Sequence, residues 1–273
     1  MNPILNIAIR AIRAGGKIIA QNYDLKNISC DIEKKKNFKY IKRIKRKTFS
    51  IINNLIKQSY PRHYILNIDS KEKIQTNKNI WIINTLNGKK NFIQKIPHFC
   101  LSIIIQEKNQ TYISVIYDPI KNDLFTAIKG QGAQLNGFRT RCYKYNKNIY
   151  NTIITLYYKN KHEKNINLYI SLMQQLLKEK ISIRQSGCSI LDLAYLSSGK
   201  INAYVSFNEK KSNFFFGELQ IKESGALITD ILGGHNYIKN KTICVGYSNI
   251  LKFILKKTRF LSKIYKKKLF YKN

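Results

Sequence analysis

The chain has 273 residues, with 49 Lys+Arg against 15 Asp+Glu, a net charge of +34 and 44% hydrophobic residues. That length suits one large or two modest domains, and that apolar share supports a core, so a disordered or fibrous chain is excluded. The charge favours nucleic acid or another polyanion, although abundant Lys, Asn, Ile and Tyr also fit codon drift in an AT-rich genome.

In chain order, residues 3–22 predict an amphipathic helix, with Ile4, Ile7, Ala8, Ala11, Ile12 and Ile18 on one face and Pro3 in its first turn. A second helix is predicted over 39–57. Strands are predicted at 81–84, 101–106, 111–117 and 123–128, with a hairpin turn over 106–111 and further turns at Asp118-Pro119 and Asn136-Gly137. The later chain alternates. Strands at 152–156, 181–184, 203–207, 226–230 and 242–246 are interleaved with helices at 163–180, 188–198, 213–225 and 248–265. The fold class is therefore α/β, read as an α+β first half (1–148) and an α/β second half (149–273) in one compact unit.

Five cysteines, Cys30, Cys100, Cys142, Cys188 and Cys244, lie far apart without a C-x-x-C pair. They predict buried thiols in a reducing compartment, not disulfides or zinc. His63, His98, His162 and His235 lack metal-ligand spacing. Arg10 and Arg13 interrupt the first apolar stretch, and no run approaches the ~20 apolar residues of a membrane span. A cytoplasmic protein with no membrane partner is expected. Two basic runs stand out. Residues 34–47 hold nine Lys/Arg and no acid, and no acid follows Asp230. Lys34, Lys35, Lys36, Lys39, Lys42, Arg43, Lys45, Arg46, Lys266, Lys267 and Lys268 are candidates for contact with RNA phosphates, with Phe38 and Tyr40 interleaved. A solvated helix face and a frayed terminus explain the same runs without RNA. No readout of DNA sequence is expected.

The motif richest in information is WIINTLNGKKNF at 81–92, a hydrophobic strand running into Asn84-Thr85-Leu86-Asn87-Gly88-Lys89. With it stand SYPRHYI (59–65), IPHFCLSI (96–103), YDPIKNDLFTAIKGQGAQLNGFR (117–139), LDLAYLSSG (191–199) and GELQIKESGALITDILGGHNY (217–237). Together these segments resemble the inositol monophosphatase family along nearly the whole chain. The resemblance implies an αβαβα layered sandwich, a homodimer and Mg²⁺-dependent hydrolysis of a phosphate monoester.

The carboxylates that this chemistry needs are missing. The resemblance places family metal ligands at Ile68, Asn84, Asn87 and Asn213, with Ser212 in place of a Trp and Lys89 in place of a Thr. A further family Asp falls near Arg43, and a substrate-gripping Glu falls near Ser206. Mg²⁺ is a hard cation that wants anionic oxygens, and an amide carries no charge. No catalytic residue and no cofactor are therefore expected. Asp69, Glu72 and Glu218 are the acids left to hold a weak ion, and Mg²⁺ matters only if residual phosphatase activity exists. Lys89 and Lys90 could instead attract an anion. Turn glycines and apolar faces match the family while the charged chemistry does not, so the fold is expected to serve a purpose other than hydrolysis.

A bacterial branch of the family has a second role that the resemblance implies here: a non-enzymatic Nus factor in the complex that transcribes ribosomal RNA without premature termination. That role brings NusA, RNA polymerase, other Nus factors and nascent ribosomal RNA as partners. The alternative is a Mg²⁺-dependent inositol-1-monophosphatase.

Overall fold

A computed structural model describes residues 2–25, 34–70, 79–142, 152–158, 165–209 and 211–270, with side chains described throughout except at 34–37 and 263–270. The chain divides into two compact units, 1–139 with 187–191 and 140–186 with 192–273. The division drawn from the sequence, at 148/149, falls on residues outside the described set.

The first unit begins with α1 (Pro3–Asp24), and Asn2 starts it. Its side-chain oxygen accepts the N–H groups of Ile4 and Leu5 at 3.0 and 3.2 Å, and Pro3 needs no partner in the first turn. The buried stripe is Leu5, Ala8, Ala11, Ile12, Gly15, Gly16, Ile18 and Ile19, the 3.6-residue period of one face. Small residues in that stripe let neighbours approach. A Cβ on Gly15 would lie 2.6 Å from Ile52 Cδ1 of α2 (Lys34–Ser59), which packs alongside. On α2, Ile41, Ile44, Lys45, Thr48, Ile52 and Ile56 are buried.

Both helices cover a seven-stranded sheet in sequence order: β1 (Tyr64–Asn67), β2 (Ile80–Asn87), β3 (Cys100–Glu107), β4 (Gln110–Asp118), β5 (Asp123–Ile128), β6 (Gly132–Leu135) and β7 (Phe138–Thr140). The β1–β2 pair is parallel, and β2 to β6 pair antiparallel. Trp81, Ile83, Leu101, Ile103, Ile105, Ile113 and Val115 alternate onto the helix-covered face and form its core with α1 and α2. Each such side chain contributes ~1.5–3 kcal/mol when fully buried. The hairpin turn predicted at 106–111 is a tight two-residue one. Lys108 and Asn109 take φ +48° and +63°, the left-handed pair of a turn that matches strand twist. Asn136 and Gly137 make a similar pair between β6 and β7, two short strands the sequence reading did not foresee.

The second unit holds a five-stranded sheet. Its strands are β8 (Ile153–Tyr158), β9 (Ser182–Arg184), β10 (Ala203–Phe207), β11 (Leu227–Thr229) and β12 (Thr242–Gly246), ordered β11-β12-β10-β8-β9. β10 and β9 run parallel to β8, while β12 is antiparallel to β10 and β11. Helices cover both faces. Ile154, Leu156, Ala203, Val205, Phe207 and Cys244 meet α4 (Ile166–Lys178) and α8 (Ser248–Phe270). Tyr157, Tyr204, Ile243 and Val245 point the other way, toward α5 (Ser189–Ser197) and α6 (Lys211–Glu223). Alternation along each strand thus sorts two cores, as a sheet buried on both faces requires. The one-turn helices α3 (Lys89–Ile93) and α7 (Tyr237–Asn240) complete the mixed α/β fold. Among the described residues, no helix is long and apolar enough to cross a membrane.

Candidate functional site

The loop singled out in the sequence closes β2. The β2–β3 pairing shifts between Asn84 and Asn87, where a bulge lets the chain turn. Gly88 then takes φ +87° and leads into α3. A Cβ at Gly88 would lie 2.9 Å from Phe99 Cβ and 3.0 Å from the His98 carbonyl oxygen, so this glycine is needed for both conformation and space. The turn is thus built on a bulge and a left-handed glycine.

Its side chains do something else. Asn84 is buried, and its Oδ1 accepts the Leu86 N–H at 3.3 Å. Asn87 Oδ1 accepts the Cys188 thiol at 3.0 Å. Both amide oxygens are thus engaged as hydrogen-bond acceptors. Ile68, half-buried, follows β1, and its N–H bonds the Ile83 carbonyl at 3.0 Å. Its side chain offers no ligand.

Asp69, the acid beside Ile68, is ion-paired. Lys45 reaches it from α2 and donates its ammonium to Asp69 Oδ2, and Lys89 Nζ stands 4.0 Å from Oδ1. Burial pushes the Asp69 carboxyl up, but the Lys45 hydrogen bond and the charges of Lys45 and Lys89 outweigh it and hold the carboxyl below its ordinary value. On Lys45 the balance is opposite. Burial lowers its ammonium, Asp69 pulls it back up, and Lys89 adds to the lowering. The difference follows enclosure, since the Lys45 side chain is 8% exposed and that of Asp69 50%.

One carboxylate with two ammoniums leaves this corner at +1. Unit charges ~4 Å apart interact by about 4 kcal/mol at an effective dielectric of ~20, and about twice that for a divalent ion. The Mg²⁺ that the resemblance implies does not fit these residues. Among the described residues, no three His, Cys, Asp or Glu side chains come together as a ligand set.

Asp69 stands in an ion pair with Lys45, and one expectation changes here. Lys45 in turn leaves the set of RNA-contact candidates, because it is 7% exposed and faces inward. The sequence carried a signal for this: Lys45 sits one residue past Ile44 and four past Ile41, inside the buried stripe of α2. Lys39, Lys42, Arg43 and Arg46 are exposed on the same helix, with Arg43 5.7 Å above the Tyr40 ring. The side chains of Lys34, Lys35, Lys36, Lys266, Lys267 and Lys268, and the whole of Glu72, lie outside the described residues. Lys89 and Lys90 are exposed at the start of α3.

The second unit has parallel changes. Asn213 is half-buried and Ser212 exposed in the first turn of α6. Glu218 accepts the Tyr237 hydroxyl at 3.0 Å and pairs with Lys222 at 2.7 Å. Burial, then the Glu218 charge, push the Tyr237 hydroxyl to about 12. Both contacts are made to Glu218 Oε1. Ser206 is buried and donates to Glu209 Oε2 at 3.0 Å, and the Tyr204 hydroxyl donates to the same oxygen. An acid lies three residues from the expected position but is turned into the core. Sequence reasoning did not find this network, whose residues read as ordinary strand.

Comparison with known proteins fits this picture of a kept scaffold. The sequence profile of the Inositol monophosphatase family matches residues 1–263. Nus factor SuhB of Buchnera aphidicola subsp. Schizaphis graminum is 51% identical over 229 residues, covering 83% of this chain and 84% of that protein. Nus factor SuhB of Escherichia coli K12 is 35% identical over 260 residues, covering 95% and 97%. The crystal structure of extragenic suppressor protein suhB from Bartonella henselae superposes with a TM-score of 0.79 at 25% identity, covering 94% of this chain and 100% of that one. A bulged loop with its glycine in place, two helix-covered sheets and a full-length profile match lead to one conclusion: the chain belongs to the inositol monophosphatase family.

Proposed function

We propose that this chain is a Nus-type transcription factor that works without phosphatase chemistry. In this reading it joins the antitermination complex on ribosomal RNA operons and docks on NusA, RNA polymerase and other Nus factors. It also contacts the nascent ribosomal RNA and helps it fold, acting as a cytoplasmic homodimer. The carrying observation is the Lys45–Asp69–Lys89 corner, where positions that the resemblance assigns to metal ligands border a net positive charge. Relatives at 51% and 35% identity carry the name Nus factor, which supports the same reading. Contacts with partners need a surface and a folded scaffold, and both survive loss of the ligands. RNA contact through exposed cations predicts affinity that falls steeply with salt.

The test pairs two measurements on the purified chain. Capture of NusA and RNA polymerase by the immobilised protein, together with no phosphate release from inositol 1-phosphate across a Mg²⁺ titration, is the expected result. Mg²⁺-dependent turnover would overturn the reading and restore the phosphatase.

A further inference from the structure

Lys252, Lys256 and Arg259 stand at i, i+4 and i+7 on the outer side of α8, all exposed, and Phe260 beside them is 60% exposed. With Leu255 they line an open groove of about 480 Å³. The opposite side of α8 is fixed in the core by Ile250, Leu251, Ile254 and Leu261, so the helix cannot turn to hide the ring.

The chemistry of the groove selects its occupant. The stretch that carries these cations has no acid after Asp230. Lys257 is not counted, because it pairs with Glu179 at 2.6 Å. Arg259 is oriented by its Nε–H, which donates to the Leu232 carbonyl at 2.8 Å. Cations in a row suit any chain of phosphates. A bare aromatic ring among them does not help to bind phosphate, but it offers a flat face to an unpaired base. Stacking of this kind tolerates any sequence and requires a single strand.

We propose that this face of α8 binds single-stranded RNA, with Lys252 and Lys256 on successive phosphates, Arg259 beside them and Phe260 stacked on a base. The inference rests on the RNA contact proposed above and places it on residues other than the RNA-contact candidates named from the sequence.

The test uses the full chain, a fluorescein-labelled single-stranded RNA of about 12 nucleotides, and inorganic polyphosphate as a base-free competitor. Lys252→Gln with Lys256→Gln should reduce the slope of log affinity against log salt by about 1.4, since each phosphate contact on a single strand contributes ~0.7. Phe260→Ala should weaken RNA binding about tenfold while leaving the salt slope and polyphosphate affinity unchanged. All three positions are exposed, and a thermal melt by circular dichroism checks that the variants fold. Equal loss of RNA and polyphosphate in Phe260→Ala, or no loss of either, overturns the inference. So does weaker NusA capture by Phe260→Ala at unchanged RNA affinity, which would make this a protein-docking face. Native capture of NusA with RNA binding untouched by the variants sinks the inference alone. RNA effects as expected without capture of any transcription protein uphold it and sink the broader reading.

Discussion

Lys45, on the buried side of α2, donates its ammonium to Asp69, which follows β1 and is half exposed. The pair brings together two residues 24 positions apart, one in a basic run and the other beside Ile68, where the family resemblance places a metal ligand.

Removing the acid should cost more than removing the base. Asp69→Asn leaves the enclosed Lys45 ammonium without its carboxylate and should lower stability by about 1–2 kcal/mol, less than the ~3–5 of a fully buried pair because Asp69 is half in water. Lys45→Met fills the same space without a charge and should be neutral within about 1 kcal/mol, or stabilising. Urea denaturation of both variants at neutral pH checks the order.

The Asp69 difference should also depend on pH. Its folded carboxyl is held below the ordinary 3.8, so between the two values the unfolded chain binds more protons. The contribution is therefore complete above 3.8 and fades as pH falls through the lower, folded value. Melts of the native chain and Asp69→Asn should converge at the acid end of that window. A constant gap from neutral pH to below it would contradict the pairing.

Magnesium should not protect the native chain. A ligand that binds only the folded state raises its stability, so ~10 mM Mg²⁺ should move the melting temperature by under about 1 °C. Asn84→Asp and Asn87→Asp combined with Lys89→Thr adds two carboxylates and removes one ammonium. That variant should gain a Mg²⁺-dependent rise that EDTA abolishes. Differential scanning fluorimetry reads both.

Gly16→Ala should destabilise despite the helix propensity of alanine. The new Cβ would fall 2.4 Å from Cε1 and 2.7 Å from Cδ1 of Tyr117, whose hydroxyl is tied to Asn122 Oδ1 at 2.9 Å. Overpacking of this kind costs ~1–3 kcal/mol, against ~1 gained in propensity. A shift of the denaturation midpoint to lower urea is expected.

Cys100, Cys142, Cys188 and Cys244 are buried thiols outside any disulfide. Burial pushes the Cys142 thiol from 9.0 to about 11, and raises Cys244 as well, with Asp230 adding to it. Two units up leaves roughly a hundredfold less thiolate. These four thiols should resist Ellman's reagent at pH 8 until denaturant is added, and fast labelling of Cys142 or Cys244 in the native chain, mapped by mass spectrometry, would contradict this.

Where one physical effect dominated, the sequence was readable. The long apolar runs of β2, β3 and β4 and the periodic stripes of α1 and α8 announced themselves, because burial alone sets those patterns. Short elements with mixed exposure did not. β6 and β7 were visible only as the Asn136-Gly137 turn between them, and α3, five residues long, follows the left-handed Gly88 without a side-chain cap. At the site, the loss of carboxylates could be read residue by residue. What replaced them could not, because the partner of Asp69 comes from a different helix and spacing along the chain carries no record of that contact.

The Lys45–Asp69–Lys89 corner also constrains how this chain can change further. Altering Asp69 leaves an enclosed cation unmatched, whereas an acid regained at the loop meets lysines where a metal would be needed. The effect of each substitution thus depends on the other two, as for groups in one ion-pair network. A route back to metal binding that alters Asp69 first passes through a less stable intermediate, whereas one that first replaces Lys45 does not. The order of replacement therefore decides the outcome: the enclosed lysine has to go before the acid that matches it.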